Sequence, residues 1–331
     1  MLKSKSRYYY TRLDDADRLI YDSILSGWEA RNPNPSFITN PLKTKDDIQK
    51  IIRYVAYDNP GLFYVDFGRY SLAYSAVNTT VQSKFLYNDR QIADYEKQLQ
   101  SAIAGILAAH KFDSMDKYDR ELVLHDYLVK NVSYADGDTD SGMHSVIGAL
   151  VSRRAVCEGY AKAFKLLCDQ VGVPCIVVSG MGTPLDRPEE LHAWNIVKLD
   201  GACAHVDVTW DSSTRGDSDT CYDHFNLTDE DAAKDHTWDR ALLPACTSSQ
   251  NNYYVRNKQC VGNRAEFKGY VASQVKKGKK VITVRLAGQE RTPDQVMNAV
   301  QEALREIQFF GYTMNLRYNQ KRGTALIRLD Y

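Results

Sequence analysis

Apolar side chains recur at helical spacing through the first 132 residues of the chain. Four segments place them three and four positions apart, which is typical of helices that bury one face. Two runs of β-branched and aromatic residues favour strands. The pattern predicts, in chain order, a helix capped at Asp14 or Asp15, a helix opened by Thr44 and Asp47, strands at Leu62–Val65 and about Ala76–Leu86, and helices at about Asp89–His110 and Lys117–Val132. The first helix is expected to bury Leu19, Ile20, Ile24 and Trp28.

A further helix follows a cysteine in the middle of the chain. Its apolar stripe consists of Tyr160, Phe164, Leu167, Cys168 and Val171. Gly172 is typical of a helix C-terminus, and Pro174 lies two residues beyond it. Cys157 is therefore expected in or just before the first turn, where free backbone N–H groups and the positive end of the helix dipole stabilise a thiolate.

Two alternating segments, residues 191–199 and 202–209, flank Asp200-Gly201 and predict a β-hairpin. With a two-residue loop, Leu199 lies opposite Ala202, so the numbers of facing positions sum to 401 (199 + 202). A four-residue loop would shift this register by two positions, and a three-residue loop would move one strand's side chains to the opposite face. The side of the hairpin that carries small apolar residues is expected to be buried.

The two-residue loop predicts which polar side chains share a face of this hairpin. Thr209 would lie opposite His192, and Asp207 opposite Trp194, all four on one face because strand side chains alternate. Asp207 would then be the diagonal neighbour of His192, within reach of an imidazole–carboxylate hydrogen bond. A four-residue loop would place these two directly opposite, whereas a three-residue loop would separate them.

The remaining elements divide the chain into three parts. The pattern predicts a short helix at Ser145–Ser152, strands at Cys175–Ser179, 252–256, 281–287, 312–318 and 324–329, and a helix that starts at Thr292-Pro293-Asp294 and continues through Ile307. Residues 1–115 are expected to form a mainly helical region with a small β element, residues 116–250 the core, and residues 251–331 a small α+β subdomain.

Charge and composition exclude several classes of function. Lys plus Arg and Asp plus Glu both number 42 among 331 residues, so nothing global favours nucleic acid or an anionic membrane. No apolar run reaches about 18 residues, so no membrane-spanning segment is expected. The first residues lack the apolar stretch of a signal peptide. The expected compartment is the cytoplasm if Met1 is native, and the cell surface or exterior if a signal has been removed.

Metal and cofactor sites are not expected. The seven cysteines show no C-x-x-C pair and no zinc-ligand spacing. The acidic loops at Asp136–Asp140 and Asp211–Asp223 could bind calcium, but neither keeps EF-hand spacing, so turn chemistry is favoured.

Cys157, His192 and Asp207 together supply the groups needed for acyl transfer. A thiolate attacks a carbonyl, an imidazole moves the proton, and a carboxylate orients the ring. Alone, a cysteine at a helix start is more often a small core residue, and a histidine on a strand is usually structural. A cysteine at a helix start, followed by histidine and aspartate on one face of a hairpin, favours catalysis instead.

Three segments resemble the core motifs of the transglutaminase-like superfamily, in its bacterial and archaeal branch. They are Ala155–Ala161, His192-Ala193-Trp194-Asn195 and Val206–Asp211, and the resemblance covers about residues 116–230. It implies Cys157 as nucleophile, His192 as general base and acid, and Asp207 as the orienting carboxylate. It also implies an α+β fold with a papain-like core, in which the helix that bears Cys157 packs on an antiparallel sheet.

The resemblance implies a cysteine-dependent acyl-transfer enzyme that acts on peptide or protein amides through a thioester. The acceptor is either water, as in a peptidase or amidase, or an amine, as in a protein-glutamine acyltransferase. Hydrolysis is favoured because many prokaryotic relatives resemble hydrolases. The expected partner is a peptide or protein substrate, with cell-wall peptide as one alternative. A different class also stays open, that of a non-catalytic peptide- or wall-binding module with the same fold.

The oxyanion site is less completely specified. The backbone N–H of Cys157 is a natural donor. Eukaryotic transglutaminases resemble one another in taking a second donor from an upstream tryptophan, but this chain has none between Trp28 and Trp194. The candidates for a second donor are Tyr134, His144 and Ser145. The candidate cleft-lining residues are Glu158, Tyr160, Trp194 and Trp210, with buried packing as an equal alternative for both tryptophans.

Overall fold

The computed structural model describes residues 6–40, 42–137, 140–184, 188–212, 220–287 and 292–331. Its N-terminal region contains α1 (Asp15–Glu29), β1 (Ser36–Ile38), α2 (Lys45–Asp58), β2 (Val65–Tyr74), β3 (Asn78–Phe85) and α3 (Asp89–Ala108). The three strands form an antiparallel sheet in the order β1–β3–β2. The predicted capping box is present, because the side chains of Thr44 and Asp47 satisfy each other's backbone N–H groups at the start of α2.

Two predictions for the N-terminal region are wrong. Leu19 is 71% exposed, and Tyr21 and Leu25 occupy the buried face of α1 beside Ile24. Residues 62–64 are buried but form turns instead of a strand, because the N–H groups of Leu62 and Val65 bond to carbonyls three residues earlier. An apolar run is buried in either conformation, so its periodicity does not identify a strand.

The core places a helix against a five-stranded antiparallel sheet, as expected. Its elements are α4 (Lys117–Asn131), β4 (Ser133–Tyr134), β5 (Arg154–Ala155), α5 (Cys157–Val171), β6 (Cys175–Gly182), β7 (Glu190–Leu199), β8 (Ala202–Val206), α6 (Val208–Ser212), β9 (Phe225–Leu227), α7 (Asp229–Ala232) and β10 (His236–Trp238). The sheet order is β10–β6–β7–β8–β9. The amide of Asn195 on β7 donates to the carbonyls of Ala161 on α5 and Ile176 on β6, and so ties helix to sheet.

The register of the hairpin is confirmed, but the second strand is shorter than predicted. Leu199 pairs with Ala202 and Asn195 pairs with Val206, so facing positions sum to 401. The strand ends there because Asp207 Oδ1 accepts the backbone N–H of Trp210 at 3.1 Å and starts the short helix α6. The predicted cross-strand pairs of Thr209 with His192 and of Asp207 with Trp194 therefore do not form.

The helix that begins at Cys157 is buried on most of its surface. Every residue of the predicted apolar stripe is buried, and Gly172 ends the helix at φ 75°, a left-handed conformation that glycine adopts without steric cost. Gly159 permits a close approach at its first turn, because a Cβ there would lie 2.4 Å from the carbonyl oxygen of Met143.

The C-terminal part forms a second α+β layer with its own core. Its elements are α8 (Tyr253–Arg256), β11 (Cys260–Val261), α9 (Arg264–Lys276), β12 (Val281–Leu286), α10 (Pro293–Glu306), β13 (Thr313–Asn319) and β14 (Thr324–Asp330). The strand expected at 252–256 is wrong, since Asn252 caps the helix α8 through Tyr254 N–H. One hydrophobic cluster extends from Tyr9 to Cys246, and a second from Val261 to Leu329.

Two further sequence expectations concern membranes and acidic loops. Across the described residues, every helix is too short or too polar to span a lipid bilayer. The acidic loops considered for calcium fall partly on residues 138–139 and 213–219, which lie outside the described residues.

Candidate active site

Cys157 is the first residue of α5 and is half-buried. Val156 before it is extended, with φ −88° and ψ 175°, so the backbone turns into the helix at the cysteine itself. The first N–H groups of a helix have no acceptor within it, and they direct partial positive charge towards the thiol. The sequence therefore places this side chain where an anion is stabilised.

His192 and Asp207 come into direct contact beside this helix. The Nε2–H of His192, on β7, donates to Asp207 Oδ2 at 2.7 Å. Both residues are buried, with 5% and 2% of their surface exposed. Asp207 lies just after β8, and its other carboxylate oxygen caps α6, so the backbone fixes the direction in which the carboxylate faces.

The Cys157 thiol lies close enough to His192 to influence the pKa of its imidazole. Nε2 of this ring contacts Asp207, so Nδ1 is the ring nitrogen left for the thiol. Burial alone would lower the pKa of His192, but the charge and hydrogen bond of Asp207, with a smaller contribution from Cys157, raise the pKa to about 10. Burial would likewise raise the pKa of Asp207, but His192 and a second histidine, His236, hold that pKa far below its usual range.

Sequence reasoning missed His236, which lies directly behind this trio. Its Nε2–H donates to the same Asp207 oxygen at 3.1 Å, and its Nδ1–H donates to Asp235 Oδ1 at 2.6 Å. Asp207 thus accepts hydrogen bonds from two buried imidazoles. His236 is 29 residues downstream of Asp207 and belongs to no motif, so no local pattern could have identified it.

A second carboxylate with two histidine partners lies farther along the core. Fully buried Asp211 contacts His125 Nε2 at 3.0 Å and His224 Nδ1 at 3.3 Å. Burial would lower the pKa of His125, but hydrogen bonds to Asp126 and Asp211 raise it to about 9. Burial would also raise the pKa of Asp211, but the same histidines hold it below its usual value.

The two candidate cleft tryptophans have different environments. Trp210 is half-buried and stacks on His192, with ring centroids 4.9 Å apart and an interplanar angle of 28°. Trp194 is buried, and its indole N–H donates to His205 Nδ1 at 3.0 Å, so it is a packing residue. Gly182 leaves room for the Trp210 ring, because a Cβ at position 182 would lie 2.8 Å from that ring.

The expectation that Tyr160 lines the cleft is wrong. Its side chain is fully buried, and its hydroxyl donates to the carbonyl of Val132 at 2.7 Å. The apolar stripe of α5 had already assigned this ring to the core, and the structure follows the stripe. Glu158 does line a cavity, of about 300 Å³, together with its ion-pair partner Lys162. Burial alone would raise the pKa of Glu158, but Lys162 and His144 hold it at about 2.

Tyr57, on α2, is a second residue that sequence reasoning missed. It lines this cavity and a neighbouring one of about 420 Å³, and the two share Gln49 and Arg53 as well. Burial and the charges of Glu158 and Cys157 raise the pKa of Tyr57. The N-terminal region therefore provides one side of both cavities.

Two of the three candidates for a second oxyanion donor, Ser145 and His144, already hydrogen-bond to other groups. Ser145 is buried, and its hydroxyl donates to the carbonyl of Gly142 at 2.7 Å. His144 contacts Glu158 through Nδ1 at 3.1 Å, and Tyr134 is half-buried on β4. Trp28 lies away from this site, because its indole N–H donates to Ser83 in the N-terminal core. The Cys157 backbone N–H is the donor that the fold supplies.

Among the described residues, two groups of side chains have the donor atoms for a metal ion. In the first, the atoms of His192, Asp207 and His236 that would bind a metal hydrogen-bond directly to one another. The second consists of His205, Asp229 and Cys246. There, Trp194 donates to His205 Nδ1, so the ring hydrogen lies on Nε2 and faces Asp229 at 2.9 Å. Metal binding would require the loss of these hydrogen bonds, so neither group favours a metal.

The histidine pKa values predict that stability falls as the pH rises above neutrality. His125 and His192 have pKa values of about 9 and about 10 in the folded protein, above the 6.5 of the unfolded chain. Their stabilisation is therefore complete below about pH 6.5 and is lost as the pH rises through about 9 to 10. Asp207 and Asp211 have lowered pKa values, so their contribution is present above about pH 4 and is lost at lower pH.

Thermal unfolding followed by circular dichroism from pH 4 to 10 checks this prediction. We expect the highest Tm near pH 4 to 6.5, and a fall of several degrees by pH 10. The matched variant Asp211→Asn should show a smaller decrease in Tm at alkaline pH, because without the Asp211 charge His125 retains its proton less tightly. A Tm that stays level from pH 6.5 to 10 would contradict the assignment of charged, paired histidines.

The family comparison matches only a segment of the core region. Residues 108–208 match the model of the transglutaminase-like superfamily, which confirms the resemblance for this segment. Cys157, His192 and Asp207 all lie inside it. No curated protein matches the chain in sequence.

Solved structures with local similarity to this chain include three examples. They are a candidate cysteine protease from Cytophaga hutchinsonii (17% identity, 43% of this chain and 61% of that one, TM-score 0.29), a TGase (10%, 56% and 52%, 0.31) and the ethylmercury-bound periplasmic domain of TgpA from Pseudomonas aeruginosa (18%, 40% and 55%, 0.24). The matches span only about half to three-fifths of those chains. Their identities and TM-scores are too low to indicate an activity.

Proposed function

From the transglutaminase-like core at residues 108–208, we propose that the protein is a cysteine-dependent acyl-transfer enzyme that acts on peptide or protein amides. Cys157 is its nucleophile, His192 its general base and acid, and Asp207 its orienting carboxylate. Water is the favoured acceptor, which makes the enzyme a peptidase or amidase. A primary amine is the alternative acceptor.

The observation that carries this proposal is the buried hydrogen bond of 2.7 Å between His192 Nε2 and Asp207, with the Cys157 thiol near enough to raise the pKa of the same imidazole. The bond to Asp207 fixes the tautomer and the direction of the ring, which is the role of the carboxylate in cysteine and serine acyl-transfer enzymes. A binding module has no need of these three groups beside one another.

The chemistry follows from the positions of these groups. With His192 already protonated, Cys157 reacts as the thiolate of a thiolate–imidazolium pair and attacks the carbonyl carbon of the amide to form a tetrahedral oxyanion beside the Cys157 N–H. The imidazolium then protonates the amide nitrogen, the C–N bond breaks, and an amine leaves a thioester on Cys157. Water gives a proton to His192 as it attacks the thioester, and the products are a carboxylic acid and the free thiol. An amine that attacks in place of water gives a new amide.

The cavity lined by Glu158, the residue after Cys157, suits a peptide more than an apolar ligand. The cavity of about 300 Å³ beside Glu158 combines the charged groups of Arg53, Glu158 and Lys162 with aromatic rings that include Phe67. Aromatic walls bind the flat backbone of a peptide, and the charged groups can pair with its side chains. A substrate that covers Trp210 would exclude water from the charges at His192 and strengthen their effect.

A mass-spectrometric assay tests the reaction and its acceptor together. The protein is incubated with a glutamine-containing peptide and a primary amine, with Cys157→Ala as the inactive comparison and Cys260→Ala as the matched control at an exposed cysteine. A cleaved or deamidated peptide shows hydrolysis, and a peptide–amine conjugate shows transfer. Either product should disappear with Cys157→Ala and persist with Cys260→Ala.

A different pattern would overturn the proposal. If glutamine peptides, unfolded proteins and cell-wall peptides all stay intact, and Cys157→Ala binds peptide as tightly as the unaltered protein does, the chain is a binding module that retains the fold. If turnover survives in Cys157→Ala, a nucleophile other than Cys157 carries the reaction.

A further inference from the structure

The C-terminal sheet reaches into the core at the turn between β13 and β14. Lys321 Nζ donates to the carbonyl of Thr183 at 3.2 Å. Thr324 Oγ1 donates to Asp223 at 2.5 Å. Gly323 has φ 66°, and a Cβ there would lie 2.6 Å from the Leu286 carbonyl oxygen, so glycine is required for the turn to fit. The turn is thus shaped to enter the space behind the sheet that carries His192.

The turn between β13 and β14 places the side chain of Arg322 inside the protein. Only 3% of its surface is exposed. Its guanidinium donates to the backbone carbonyl of Asp231 and forms an ion pair with the buried carboxylate of Asp235. Buried arginines are rare unless they are paired, so this contact is specific to the position.

Asp235 connects Arg322 to the catalytic carboxylate. Its Oδ1 accepts the Nδ1–H of His236 at 2.6 Å, and His236 donates from Nε2 to Asp207 Oδ2 at 3.1 Å. Close polar contacts therefore link Arg322, Asp235, His236, Asp207 and His192 in one buried row.

We propose that Arg322 is a positioning residue for the triad, which through Asp235 and His236 fixes Asp207 against His192 and balances its charge. The C-terminal subdomain is thereby a required part of the catalytic unit. This inference rests on the proposed function, because it assigns Arg322 a role in that reaction. Arg322 itself touches neither Cys157 nor His192 in any contact of the described residues.

The charged groups around this row define what the loss of Arg322 would do. Asp235 faces Arg322, His236 and His224, the last at 3.5 Å from Oδ2. His236 also faces the rings of His192 at 5.5 Å, Trp194 at 4.7 Å and Trp210 at 4.3 Å. Without Arg322 the row gains one uncompensated negative charge. Every protonated imidazole in it then retains its proton more tightly.

A matched ion pair distinguishes this role from mere docking of the sheet. Arg285 on β12 binds Asp231 at 2.8 and 2.9 Å and holds the same sheet to the same segment of the core. It has no contact with Asp235 or His236 among the described residues. Arg285→Met should therefore weaken docking as much as Arg322→Met does, without changing the charge of the row.

The test is an NMR titration of ¹⁵N-histidine protein from pH 5 to 11.5. In Arg322→Met, the deprotonation midpoint of His192 should rise by about half a pH unit, as expected for the loss of one partly screened positive charge. Asp235→Asn removes the opposite charge and should lower the midpoint by a similar amount. Arg322→Met combined with Asp235→Asn should return it towards the unaltered value. Arg322→Lys, which keeps the positive charge, should leave the midpoint of His192 close to its value in the unaltered protein. Arg285→Met should change that midpoint by under about 0.2 units.

Equal midpoints in the unaltered protein and in Arg322→Met would overturn the inference, and so would an equal shift with Arg285→Met. If Arg322→Met does not fold, Asp235→Asn decides the question by the downward shift of its midpoint, and Arg322→Lys by the absence of a shift. The titration does not depend on turnover, so it separates the two proposals. If Cys157 is unreactive but the midpoint of His192 shifts, the proposed function fails and the role of Arg322 stands. If the enzyme is active but the midpoint does not shift, the proposed function stands and the role of Arg322 fails.

Discussion

Replacing Cys157 by alanine is expected to lower turnover on amide substrates by a factor on the order of 10⁶, because the thioester cannot form without the thiol. Folding should be almost unaffected. The side chain is half-buried at the start of α5, so the loss of one sulfur atom costs about 1 kcal/mol or less. Steady-state kinetics on a substrate identified by mass spectrometry, together with denaturant unfolding, measure the two effects separately.

Alkylation gives the same information without a known substrate. Iodoacetamide at pH 6 should label Cys157 before Cys203 or Cys260, since burial raises the pKa of both of these thiols. Cys157→Ala should remove the fast phase, and Cys260→Ala should leave it unchanged. If Cys157 reacts no faster than exposed Cys260, its contact with His192 does not activate it, and the proposed mechanism fails.

Replacing Asp207 by asparagine is expected to lower kcat by about 10³ to 10⁴-fold and to destabilise the fold. The amide has nearly the same shape, but it removes the negative charge that orients two imidazoles and stabilises their protonated forms. His192 and His236 are both buried, and each would lose a charged partner. The removal of one member of such a buried set costs about 3–5 kcal/mol.

Asp211→Asn is the matched control for this variant. Asp211 is also fully buried between two histidines, but neither of them is His192. It should lose a similar amount of unfolding free energy and keep kcat within about tenfold. Guanidinium unfolding and kcat measured on both variants separate the two effects. Equal losses of kcat would mean that Asp207 acts only through stability, and it would lose its assigned role in the reaction.

The largest departure from expectation concerns how Asp207 reaches His192. The predicted register is present, but Asp207 is not on a strand, because its carboxylate caps α6 and ends β8 one residue earlier. The side chain still meets His192, through an approach that strand alternation does not describe. A capping aspartate next to a strand end is a competing local interaction, and periodicity does not show which of the two prevails.

One prediction for Tyr160 is correct and another is wrong. The stripe from Tyr160 to Val171 was predicted from helical spacing and is buried throughout. Tyr160 was also expected to line the cleft, because it lies close to Cys157 in sequence, but its hydroxyl bonds inside the core. Residues three apart on a helix face nearly the same way, so the helical angle does not separate Tyr160 from Cys157; the core hydrogen bond and full burial of the ring keep it out of the cleft.

The sequence by itself determined the features that depend on a few consecutive residues. These are the helix that begins at Cys157 and ends at Gly172, the Asp200-Gly201 hairpin with its register, and the order of Cys157, His192 and Asp207. Helical period, turn chemistry and capping are local, so they can be inferred from a short segment of chain.

Only the tertiary structure decided what surrounds the carboxylate of Asp207. His236, Asp235 and Arg322 lie 29, 28 and 115 residues beyond Asp207 in sequence (236 − 207, 235 − 207 and 322 − 207). They meet because β10 pairs with β6 and a turn of the C-terminal sheet enters the core behind them. Buried charges must find partners wherever the fold places them, and no periodicity in the chain records which distant residue that will be.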